Sequence, residues 1–323
     1  MTDNCTISEL GDLFSKHSSF LIISHASPDG DALGSTIALG SVLEKLGKKV
    51  YYRNEDEVPQ SLKFLPNAGL IQQPEEGMLE IDVVVALDCG TKPRLGENAL
   101  ALAGSTLMVN IDHHKTNTGY GDVNYIDANS PATGQILYQI FKQLGYEITD
   151  VARDNLYVAV STDTGSFRYR GTTEETYAMA ADLVSMGLDV STINENIYDN
   201  NPLRKIKLLS QLLNTLQISG DGKIAYWAMT MGMKTELSLL PDDAEDMINH
   251  IRSIEGVLVA AHFEELANGF VRVSLRSKTD DVDVSDVAQL FGGGGHARAA
   301  GIRYQGTLEE ASTAIISAIE KSL

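Results

Sequence analysis

A chain of 323 residues with 43% hydrophobic and 21% charged residues is long enough for two ordinary domains and apolar enough to give each a core. Its net charge of −19 argues against a protein that wraps long nucleic acid, because such a protein needs a basic surface to displace counterions. No apolar run reaches the roughly 18 residues of a membrane span. The first residues lack the pattern of a signal peptide, and Cys5 and Cys89 are too few for a disulfide framework, so a cytoplasmic protein is expected.

Residues 19–24 (SFLIIS) read as a buried strand that runs into His25-Ala-Ser-Pro28-Asp29-Gly30-Asp31. A helix is expected over 31–46, with apolar residues at Leu33, Ile37, Leu43 and Leu46. Strands are expected at 49–52, 83–87 and 106–111; the second meets Asp88 and the third meets Asp112-His113-His114. Helices follow at 132–144 and 151–160, the latter leading into Ser161-Thr162-Asp163. Strands alternating with helices predict an α/β domain, a parallel sheet with helices on both faces.

After Pro202 a helical pattern of Ile206, Leu209, Leu213 and Leu216 reaches the turn signal Ser219-Gly220-Asp221-Gly222 and reads as a connector. Strands at 223–230, 257–266 and 270–275, with helices at 242–254, 284–290 and 308–321, predict a smaller α/β domain on a mixed sheet. The expected division is 1–195 for the first domain, 196–218 for the connector and 219–323 for the second domain. Asp242, Asp243, Glu245 and Asp246 read as a solvated helix face.

The first domain places Asp or His at the end of four predicted elements. Singly these are ordinary: Asp29-Gly30 makes a turn, Asp31 caps a helix, and one Asp after a strand belongs to a loop. In a parallel α/β sheet, however, the carboxyl ends of the strands open into one crevice. Gathering Asp29, Asp31, Asp88 and Asp163 there brings four negative charges together, a conflict that two divalent cations remove. Mixed imidazole and carboxylate donors favour Mn²⁺, Fe²⁺, Co²⁺ or Zn²⁺ over Mg²⁺. Paired cations suit in-line displacement at phosphorus. In the second domain, Gly292–Gly295 followed by His296 and Arg298 offers backbone donors beside cations, and Arg276 offers a fork suited to phosphate.

Taken together, His25–Ser35, Asp88, Asp112-His113-His114, Asp163 and Gly293-Gly294-Gly295-His296 resemble the DHH phosphoesterase family with its associated C-terminal domain. In length and layout the chain is similar to that family's stand-alone bacterial oligoribonucleases (nanoRNases), which also act as phosphatases of 3′-phosphoadenosine-5′-phosphate (pAp). The resemblance implies two divalent cations, Mn²⁺ first among them, in a cleft between the domains. It assigns His25 and Asp29 to one cation, Asp31, His113 and Asp163 to the other, and Asp88 to both. It makes His114 and Asp112 the catalytic residues, with His114 at the scissile phosphate and Asp112 holding the tandem histidines in place. It gives Arg276, Gly293, Gly294, Gly295 and His296 to substrate binding. The implied partners are short RNA oligonucleotides or a nucleotide bisphosphate, with no long duplex and no membrane, and a homodimer is compatible. Hydrolysis of cyclic di-AMP or pApA is the alternative activity, and a catalytically inactive nucleotide-binding regulator ranks below it.

Overall fold

The computed structural model describes residues 4–75, 77, 79–219, 221–244, 246–279 and 281–323, apart from the side chains of Asp242 and His296. The chain divides into two compact units, one ending at Asn200 and one beginning at Asn201. Among the described residues, no helix is long and apolar enough to cross a membrane.

The first unit runs α1 (Ile7–Lys16), β1 (Ser19–Ser24), α2 (Gly30–Lys45), β2 (Lys49–Tyr52), β3 (Val83–Leu87), α3 (Glu97–Ala103), β4 (Leu107–Asp112), β5 (Val123–Ile126), α4 (Thr133–Leu144), α5 (Asp150–Asp163), α6 (Glu174–Ser185) and α7 (Val190–Tyr198). Its five strands are all parallel, in the order β2-β1-β3-β4-β5. Both faces of β1, β3 and β4 are covered, which is why they read as unbroken apolar runs. Phe20, Ile22, Val83, Val85, Val109 and Ile111 pack against α2, α4 and α5, and Leu21, Ile23, Val84, Ala86 and Met108 pack against α3. The order reverses between β1 and β3, the switch point beyond which α/β sheets bind ligands.

Three glycines bring the helices of the first face close. A Cβ on Gly34 would lie 2.5 Å from the Asn155 carbonyl oxygen, one on Gly30 would meet Thr162 Oγ1 at 2.5 Å, and one on Gly134 would meet Ala159 Cβ at 2.5 Å. Helix α5 therefore lies against both α2 and α4. This contact brings its last residue, Asp163, to the start of α2.

The second unit runs α8 (Leu203–Asn214), β6 (Gln217–Ile218), β7 (Ile224–Met229), α9 (Met231–Leu237), α10 (Ile248–Arg252), β8 (Val259–Glu265), β9 (Phe270–Ser277), α11 (Val284–Gln289), β10 (Gly294–His296), β11 (Ala299–Gln305) and α12 (Leu308–Glu320). Its sheet is mixed, in the order β10-β11-β9-β8-β7-β6, with β7 and β8 parallel and the remaining pairs antiparallel. The pattern read as a connector is α8, whose Leu208 and Leu212 pack beside Trp227 in this unit.

The helix expected at 242–254 is broken. Residues 241–244 form a 3-10 turn, Asp246 takes a left-handed φ of +62°, and only α10 follows as a helix. Asp243, expected on a solvated face, is buried: its Oδ2 accepts from the Leu240 N–H at 2.7 Å and from Arg204 Nε at 2.6 Å. Gly220 and Glu245, named in the sequence reading, lie outside the described residues.

Candidate metal centre

The buried strands of the first unit deliver the donors. His25 follows β1, Asp88 follows β3, Asp112 ends β4, and His113 and His114 come next. Asp29 is the N-cap of α2: its Oδ1 accepts from the Asp31 and Ala32 N–H groups, and its Oδ2 lies 3.7 Å from His25 Nε2. Asp31, whose ordinary reading is a helix cap, is instead the second residue of α2 and is fully buried.

Among the described residues, three groups of donors lie close enough to hold a metal ion. His25, Asp29 and Asp88 form one, Asp31, His113 and Asp163 a second, and Asp88, His113 and His114 a third, each with its ligand atoms within 4.8 Å of one another. His25 Nε2 is 3.6 Å from Asp88 Oδ2, while His113 Nε2 is 3.4 Å from both Asp88 Oδ1 and Asp163 Oδ2. Asp88 thus turns one oxygen toward each of two clusters. Both histidines present Nε2 because their other ring nitrogen is engaged: His25 Nδ1 sits 2.9 Å from the Ala26 carbonyl oxygen and His113 Nδ1 sits 3.3 Å from that of Ser130. Such partners orient metal-binding imidazoles.

His114 differs. Its Nδ1 lies 2.7 Å from Asp112 Oδ1. Asp112 Oδ2 accepts from Asn117 Nδ2 at 2.5 Å, and the same amide nitrogen donates to Asn110 Oδ1 at 2.8 Å. A buried polar chain therefore fixes the rotation of His114.

The electrostatics show how much charge this centre must balance. Burial opposes the charged form of His25, but Asp29 and Asp88 outweigh it and the imidazole is pushed up to about 11. Burial likewise opposes charge on His113, yet Asp88, Asp31 and Asp163 push it up to about 11. Burial and the Asp88 and Asp163 charges hold Asp31 well above the usual carboxylate range. Burial also raises Asp163, and with the Asp88 charge it outweighs the opposing pull of His113 and brings the group to about 7. Asp88 resists burial and is drawn well below the ordinary value by His113 and His25. Protons here do what divalent cations would do, so a donor set of this composition fits such cations.

All six residues expected as metal ligands meet here, and Asp112 and His114 adjoin them. The structure adds residues the sequence reading missed. Thr133 N–H and Gly134 N–H donate to Asp31, Thr133 Oγ1 donates to Asp88 Oδ1, and Asn117 supports Asp112. A signal for the first two existed in Ala132-Thr133-Gly134, a helix start with no capping side chain before it.

In the second unit, backbone register puts His296, Ala299 and Arg276 in one row across β10, β11 and β9. The side chain of His296, expected to bind substrate, lies outside the description. Two of the glycines have packing reasons: a Cβ on Gly293 would lie 2.2 Å from the Gly301 carbonyl oxygen, and one on Gly295 would lie 2.4 Å from that of Ala299, whereas Gly294 faces open space.

Residues 19–161 match the DHH family, N-terminal domain, and residues 223–323 match the DHHA1 domain. A bifunctional oligoribonuclease and PAP phosphatase NrnA of Thermus thermophilus is 30% identical over 94% of this chain and 89% of its own length. The chain belongs to the DHH family. This DHH protein is also 24% identical to the NrnA of Bacillus subtilis, over 91% of each chain. Among solved structures, it is similar to an exopolyphosphatase-related protein from Bacteroides fragilis, with a TM-score of 0.92 and 26% identity over 98% of this chain and 95% of that one. The fold, though not the length, is shared with RecJ of Thermus thermophilus in complex with Mn²⁺, with a TM-score of 0.53 and 16% identity over 98% of this chain and 53% of that one.

Proposed function

We propose that this DHH protein hydrolyses phosphate esters of short nucleotides, as an oligoribonuclease on short RNA and as a phosphatase of pAp, and that its native cations are Mn²⁺. The observation that carries this reading is the pair of donor clusters joined at Asp88, each with one imidazole Nε2 and two carboxylates. The relatives named oligoribonuclease and PAP phosphatase support the substrate class.

In this reading His25 and Asp29 would hold one cation, Asp31, His113 and Asp163 would hold the other, and Asp88 would contribute to both. The cations supply Lewis acidity toward the phosphoryl oxygens. Water adds to phosphorus, releasing one proton to solvent, and the bond to the leaving oxygen breaks. His114 delivers the proton that oxygen needs, through Nε2, because Nδ1 is committed to Asp112. Arg276, the backbone of Gly293, Gly294 and Gly295, and His296 hold the remaining phosphate or nucleotide.

The test is a side-by-side comparison of initial rates on pAp, pApA, cyclic di-AMP, a five-nucleotide RNA and pyrophosphate, after chelation and after adding back Mn²⁺ or Ca²⁺. The reading expects turnover of pAp and the short RNA that chelation abolishes and Mn²⁺ restores better than Ca²⁺. Preference for cyclic di-AMP or pyrophosphate overturns the substrate, and full activity after chelation overturns the metal centre.

A further inference from the structure

Helix α4 begins without a cap of its own. Its N-cap is Ala132, in extended backbone, and no side chain of that residue reaches the first turn. The first N–H groups of a helix need partners, and here the partner lies 102 residues earlier in the chain. Thr133 N–H donates to Asp31 Oδ2 at 2.6 Å and Gly134 N–H to Asp31 Oδ1 at 2.9 Å, where Ser35 Oγ also donates at 3.0 Å. The hydroxyl of the same Thr133 donates to Asp88 Oδ1 at 3.1 Å.

One residue therefore ties the carboxylate at the start of α2 to the one after β3. Thr133 is fully buried, so water does not compete for either bond. Two carboxylates this close repel, and the positive end of α4 lowers the cost of holding them together. The N–H bond depends on the helix position alone, whereas the hydroxyl bond depends on the side chain being Thr or Ser. That difference makes the role testable.

We propose that Thr133 is a positioning residue of the metal centre, whose hydroxyl fixes Asp88 relative to Asp31 and so sets how tightly the cations are held. The inference rests on the two-cation reading above. Groups that hold metal ligands in place are typically worth about 10- to 100-fold in metal affinity.

The experiment titrates metal-free wild type, Thr133→Val and Thr133→Ser with Mn²⁺ by calorimetry, records EPR spectra of the loaded proteins, and melts the metal-free forms. Wild type and Thr133→Ser should bind two ions with similar affinity and show a spin-coupled Mn²⁺ pair. Thr133→Val should bind at least one ion about tenfold more weakly and show a diminished coupled signal. Its metal-free melting temperature should stay near that of wild type, which a packing role alone would lower. Thr133→Ala, which removes the hydroxyl without adding bulk, carries the same test if the valine variant does not fold. Valine or alanine variants that bind both ions as wild type does overturn the proposal, as does equal weakening in Thr133→Ser. Wild type that binds fewer than two ions overturns the two-cation reading itself, and this inference with it.

Discussion

At the scale of single residues, Asp88 carries the greatest constraint. It sits at φ +52°, a left-handed backbone uncommon for a non-glycine residue, while its carboxylate faces three histidines, His25, His113 and His114, and the Thr133 hydroxyl. The tandem histidines beside it divide differently. His113 points Nε2 at three carboxylates, and His114 commits Nδ1 to Asp112. His113→Ala should therefore lower the metal content of the purified protein. His114→Ala should leave metal in place and lower kcat by about 10²- to 10⁴-fold. Metal analysis beside turnover checks this, and the reverse pattern would exchange the two roles. A second expectation concerns protons. His25 and His113 titrate near 11 in the metal-free protein, well above the ordinary value near 6.5. The stability this confers on metal-free protein is complete below about pH 6.5 and is lost as the pH rises through 11. Cations need the neutral imidazoles, so loading at pH 8 should release protons and affinity should rise with pH. Calorimetry in buffers of different ionisation enthalpy measures the release, and none at pH 8 would contradict the expectation.

At the scale of elements, the centre depends on how closely α5 approaches α2. Gly34→Ala would place a methyl group 2.5 Å from the Asn155 backbone oxygen, and backbone cannot swing aside as a flexible side chain can. The variant should lose about 1–3 kcal/mol of stability by denaturant titration. It should also weaken metal binding, because Asp163 rides on the end of α5; unchanged stability and metal content would count against this packing argument. The same elements show what sequence can reveal. Strands β1, β3 and β4 were legible because burial on both faces makes them continuous apolar runs, and the residue after each is a proposed ligand, His25, Asp88 and His113. Strand β11 was not, since AAGIRYQ mixes small and charged residues whose strand character comes from pairing with β9 and β10. Helix α10 came out too long because the periodicity of 242–254 hid an inward-turned Asp243. The proposed ligands were readable as side-chain types, whereas the α4 amides that hold Asp31 were hidden, because a backbone N–H carries no letter of its own.

At the scale of the molecule, the charge of −19 bears on the proposed substrates. If Arg276 and His296, with at most one further cation, engage phosphates as proposed, affinity for a five-nucleotide RNA should fall gently with salt, with a log–log slope of about −1.4 for two contacts and about −2.1 for three. Binding measured across a salt series tests this, and a slope steeper than about −4 would require a basic track that this composition does not favour. Charge also bears on the making of the protein. The seven donor residues span His25 to Asp163, and the second unit begins only at Asn201. Domains generally fold in order as they leave the ribosome, so the carboxylates of the centre come together while the second unit is still being made. In a cell short of divalent cations, the half-built chain balances that charge with the protons that His25 and His113 retain.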